Sequence, residues 1–175
     1  MRHKESTYLL AGILFTLFLG SLSHFFYEWS GEHPLVGLFS PVNESVWEHM
    51  KLVFFPALLY TLFEIIARLR LDSHFLTVRF LSLLTGTFLI PCLFFIYTGF
   101  LGRPFLPLDI GIFVLCTLTV FLLSHYLDLN AKALSLPFFV LFTALLFFLI
   151  LFFSFSYRPP NLPLFWPPKN FLWLP

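Results

Sequence analysis

His24 and Glu28, then Glu44, Glu48 and His49, bring imidazole and carboxylate groups into a chain that is 59% hydrophobic and 11% charged. These two groups together are what acid–base or metal-assisted hydrolysis needs, because each can move a proton or ligate a divalent ion. Glu48 is the candidate general base or metal ligand, with His24 and His49 as ligands or proton carriers. His24, Glu28, Glu48 and His49 are the candidate metal set, and a divalent metal ion is the candidate cofactor. His24 and Glu28 are four residues apart and so share a helix face. Glu44, Glu48 and Lys51 are spaced to share another, with Trp47 beside them and His49 about 100° round from Glu48. Asn43, Tyr97 and Asp109 complete the expected pocket.

Each of these residues also has a plainer reading. Acids such as Glu44 and Glu48 are favoured at a helix N-terminus by its dipole, and Asp109 is open to the same account. Glu48 and Lys51 fit an i,i+3 salt bridge, and His24 with Glu28 fits a pair locking two helices. Trp47, Trp29 and Tyr27 fit interface anchors. Glu64 with Arg68 is an i,i+4 pair, and His125 with Asp128 closes a helix. The chain has no Walker loop, nucleophile elbow, HExxH or dinucleotide fingerprint. A net charge of +1 gives no reason to expect a nucleic-acid partner. Cys92 and Cys116 lie in apolar runs and read as small buried hydrophobes.

The elements that position these groups are membrane spans. Mean hydropathy is +0.90, and so low a charge content marks an integral membrane protein whose partner is the lipid bilayer. A spanning helix takes roughly 20 residues, so 175 residues hold five and little else. The expected fold is all-α: one domain, a polytopic bundle of helices at about 8–29, 43–67, 79–101, 109–127 and 135–157, with a tail over 158–175. The first run also resembles a signal peptide, but its apolar pattern continues to Tyr27 and favours an uncleaved span. In the second, only 52–63 is free of charge, so the helix must use the polar stretch and begin within 40–45. Ser40-Pro41 and the capping box Ser45-Val-Trp-Glu48 both offer starts. Pro56 and Pro91 fall inside spans. The Pro-rich tail, with Phe165, Trp166, Phe171 and Trp173, is expected along the interface. Lys and Arg counts, six against four, predict the N-terminus inside and the tail outside. The ionisable helix ends then meet in an outward-facing pocket between the first two spans.

The stretch "SPVNESVWEHMKLVFFPALL" within residues 24–64 resembles the signature of a family of small bacterial membrane proteins, found mainly in Firmicutes and catalogued only as a domain of unknown function. The tail segment "PPNLPLF" is similar to the end of that family, and the five-span plan follows it along the chain. The resemblance implies a bacterial plasma membrane and carries no activity. Three functions fit the residues. A structural or accessory membrane subunit, its polar groups tying helices together, comes first, because intramembrane charges find structural partners. An outer-leaflet enzyme hydrolysing a lipid-type substrate and a small-solute or ion carrier are the alternatives.

Overall fold

The computed structural model describes residues 2–131 and 134–167. It is all-helical, with no strand among the described residues: α1 (Arg2–Trp29), α2 (Pro34–Gly37), α3 (Val46–Arg68), α4 (Ser73–Leu101), α5 (Leu106–Asn130), α6 (Phe138–Tyr157) and a 3-10 turn at Pro163–Phe165. Five of the six α-helices, all but α2, are long and apolar enough to cross a membrane. The protein is a multi-pass membrane bundle.

Local chemistry sets the boundaries. Ser45 Oγ accepts the Glu48 N–H and caps α3, one residue beyond the expected window. Residues 40–45 are held otherwise: Ser40 is tied to the Val36 carbonyl, and Asn43 Oδ1 accepts the Ser45 N–H at 2.8 Å. Half of the expected capping box therefore forms. Glu48 does not reach back to Ser45, because Asn43 already holds that N–H. Asp72 caps α4 by accepting the Phe75 N–H at 2.9 Å, so α4 starts about two turns earlier than the charge-free run. Arg79 enters the helix interior where Glu64 takes its Nη2 and the aromatic rings of Phe75 and Phe121 face the rest of the guanidinium. Pro56 and Pro91 sit inside uninterrupted helices, as membrane helices allow when neighbours cover the freed carbonyl.

The core lies among α1, α3, α4 and α5, with α6 laid along α3 and α4. Two glycines let the backbone of a neighbouring helix come close: Gly20 of α1 meets the Leu52 carbonyl and the Phe113 ring, and Gly86 of α4 meets Val120 and the Cys116 carbonyl. Trp47 is 5% exposed and packs on Phe152, Phe155 and Phe165. It is a core residue, not an interface anchor, because it faces α6 where aromatic rings can surround it. Phe165 is likewise buried, and the 3-10 turn tucks the tail onto α3. Phe171 and Trp173 lie outside the described residues. Cys116 is buried, whereas Cys92 is exposed on the apolar outer surface.

At the end of the bundle where α3 meets α4, charges pair densely. Glu64 takes Arg68 at 2.6 Å and also Arg79. Arg70 makes a two-pronged contact with Asp128, at 2.7 and 2.8 Å, and a third bond to Asp72. Asp128 is thus taken by Arg70 and His74 instead of His125. The hydrogen bonds that Arg70 donates to Asp128 hold the Arg70 proton more firmly than usual. The Asp72 carboxyl titrates below the usual range: partial burial works against this, but the Phe75 N–H and Arg70 outweigh it.

Candidate functional site

The opposite end of the bundle collects the end of α1, the starts of α3 and α5, and the end of α4. His24 comes from the last turns of α1, His49 from the first turn of α3, and Glu44 from the loop just before α3. Glu44 Oε2 lies 3.5 Å from Nε2 of His24 and 3.5 Å from Nε2 of His49. The two imidazole rings are 5.3 Å apart. One ligand atom from each residue falls within 4.8 Å of the other two. His49 Nδ1 donates to the Ser45 carbonyl at 2.9 Å. A carbonyl only accepts, so the proton sits on Nδ1 and Nε2 is turned towards Glu44.

These three residues stand at the mouth of a cavity of about 240 Å³. Its walls are chiefly apolar, from Leu52 of α3, Ile90 and Phe94 of α4, and Phe113 of α5. Asp109, in the first turn of α5, adds a second carboxylate. Tyr97 orients it, donating its hydroxyl to Asp109 Oδ1 at 2.5 Å while accepting the Phe105 N–H at 3.1 Å. Glu28 and Asn43 lie in an adjoining cleft that His24 and Glu44 also line.

Glu48 and Lys51 are elsewhere. Glu48 is 1% exposed and bonds Lys51 Nζ at 2.7 Å, the Val42 N–H at 3.0 Å and the Ser156 hydroxyl at 2.9 Å. Lys51 is fully buried and donates further to the carbonyls of Gly37 at 2.8 Å and Ser40 at 3.3 Å. The expected grouping of Glu48 with both histidines is therefore corrected: the carboxylate that joins them is Glu44. The reason is helical. Adjacent residues differ by about 100°, so when His49 faces the cavity Glu48 faces away from it. Glu44 precedes the helix, so the expected i,i+4 relation to Glu48 does not apply, and the loop swings it to the other side. The expected His24–Glu28 partnership gives way for the same reason, since Glu44 reaches His24 first.

Sequence reading missed Ser156 and the Gly37 and Ser40 carbonyls, which complete the Glu48–Lys51 network. Ser156 is a lone hydroxyl near the end of a Phe-rich helix, and nothing local ties it to a residue 108 positions earlier. The apolar walls of the cavity were hidden too, because Ile90, Phe94 and Phe113 look like any lipid-facing residues.

No curated protein and no solved structure matches the chain. Residues 1–169 match the family of unknown function DUF6512, and with nearly its whole length covered the chain belongs to that family.

Proposed function

We propose that the protein is a membrane enzyme that admits a lipid-type amphiphile to the cavity among α1, α3, α4 and α5 and hydrolyses it at the mouth. The observation that carries this reading is two imidazoles and two carboxylates converging on a cavity with otherwise apolar walls. Apolar walls hold a chain, and the mouth meets the head group. In hydrolysis, water gives its hydroxyl to the acyl or phosphoryl centre and its proton to a base, while the departing oxygen takes a proton from an acid. Glu44, Asp109 and the histidines supply groups for both transfers. The Lys/Arg bias puts Arg68, Arg70 and Lys132 inside and the cavity mouth in the outer leaflet. The family signature supports a bacterial plasma membrane. A carrier would use the same cavity, but apolar walls favour a chain-bearing ligand over a small polar solute. A structural role is favoured by one observation, the fully paired Glu48–Lys51–Ser156 network, and we assign that role to this half of the polar set alone.

The test is reconstitution in vesicles containing phosphatidylglycerol whose acyl chain bears a photoreactive diazirine. The label is expected on the α4 and α5 wall, at peptides carrying Phe94 and Phe113. Mass spectrometry should find cleaved lipid with the wild-type protein and little or none with Glu44→Gln. Labelling confined to outer lipid-facing surfaces would overturn the cavity reading. Labelling within the cavity without cleavage would overturn hydrolysis.

A further inference from the structure

Two imidazoles share one carboxylate oxygen at this site, and for His49 the contact with Glu44 needs something between ring and carboxylate. His49 commits its one neutral-state proton to the Ser45 carbonyl through Nδ1. Its Nε2 then presents a lone pair, 3.5 Å from an oxygen that also carries lone pairs. Two acceptors at that range repel unless the ring gains a second proton or a cation sits between them. We propose that the cation is a single zinc-type divalent metal ion, ligated by His24 Nε2, His49 Nε2 and Glu44.

Three observations favour it. The spacing fits: metal–ligand bonds of about 2.0–2.1 Å at the tetrahedral angle put neighbouring ligand atoms roughly 3.3 Å apart, against 3.5 Å for both nitrogen–oxygen pairs. The Ser45 carbonyl on His49 Nδ1 is the outer contact that fixes a ligating histidine in its tautomer and orientation. The donor set, two nitrogens and one carboxylate, suits zinc-like ions over magnesium or calcium, which take oxygen ligands. Three protein ligands leave a fourth position, and the cavity that these ligands line offers the room for it. There a bound water would become a hydroxide near neutral pH and attack a substrate held by the apolar walls, with Asp109 in the same cavity to accept or return its proton. The inference deepens the site reading above, and the hydrolysis rests on that reading, but the metal binding is measured separately.

The test uses the full-length protein purified in detergent without chelator, with metal content by mass spectrometry and cobalt(II) as the spectroscopic probe. Stripped protein should bind one equivalent of cobalt with the strong visible bands of a four-coordinate site, and zinc should displace it. His24→Ala, His49→Ala and Glu44→Gln should each weaken cobalt binding by at least 10-fold, with thermal unfolding showing which variants remain folded. Glu28→Gln, next to the cluster but outside it, should bind as the wild type does. Failure of folded, stripped wild-type protein to bind cobalt or zinc would overturn the metal site and leave doubly protonated imidazole as the answer. Equal loss from Glu28→Gln and Glu44→Gln would also overturn the assigned ligands. Cobalt bound as predicted with no lipid cleavage leaves the metal site standing and defeats the hydrolysis, whereas cleavage by the metal-free protein leaves the hydrolysis standing and overturns the metal's part in it.

Discussion

Glu48 and Lys51 show what one residue's rotation decides. The two pair with each other inside the bundle, and their burial is tolerable only because every polar atom finds a partner: each other, the Val42 N–H, the Ser156 hydroxyl and the carbonyls of Gly37 and Ser40. These bonds join three pieces of chain, the α2 loop, the start of α3 and the end of α6. Removing one member should therefore cost more than removing both. Lys51→Met leaves a buried carboxylate unpaired and is expected to destabilise by about 3–5 kcal/mol. Glu48→Gln combined with Lys51→Met should recover most of that loss. Denaturant or thermal unfolding in detergent reads both, and a Lys51→Met protein as stable as the wild type would remove the buried pair from the account. Residue types announced this pair, since an i,i+3 acid and base in an apolar helix is visible in the sequence. They did not announce that the pair would stand apart from His49, one position away.

At the scale of elements, the bundle is held close by small residues where helices cross. A methyl group at Gly20 would press on the Leu52 carbonyl, which is backbone and cannot swing aside, whereas Gly111 has open space around it. Gly20→Ala should lower stability by about 1–3 kcal/mol through overpacking. Gly111→Ala should leave it unchanged or raise it slightly, since alanine is the better helix former. Melting temperatures of the two variants measured side by side check this, and equal behaviour would mean that α1 and α3 do not approach at Gly20. The elements were legible because spanning length and apolar content identify them. Their ends were less so. The α4 start was hidden because Arg79 looked like a boundary, and only a partner on α3 makes an arginine acceptable one turn and a half inside a helix. Short α2 was unforeseen, since four residues carry no periodicity.

For the molecule as a whole, five candidate spans predict that the two ends of the chain lie on opposite sides of the membrane, and the Lys/Arg bias proposes which side is which. In a background with Cys92 and Cys116 replaced by alanine, single cysteines at positions 4 and 161 should react from opposite faces of intact cells. An impermeant reagent should modify only position 161. Modification of both positions would refute the five-span topology, and modification of position 4 alone would invert the proposed orientation. This orientation decides where the cavity mouth lies, and so which leaflet could supply a lipid.

Composition by itself determined that this chain is a membrane protein of five apolar helices, because the cost of leaving backbone groups unbonded in lipid permits little else to so apolar a sequence. The sequence also determined which residues were worth watching, since charge in a bilayer is costly and stands out. Only the tertiary structure decided how those residues divide. His24, Glu44 and His49 meet at the cavity because a loop, free of helical geometry, carries Glu44 across to two helices. Glu48 and Lys51 turn away because α3 begins at Val46 and the helical rotation from that point leaves them facing α2 and α6. Neither outcome is encoded locally: both depend on where one helix starts and on which neighbours its faces meet.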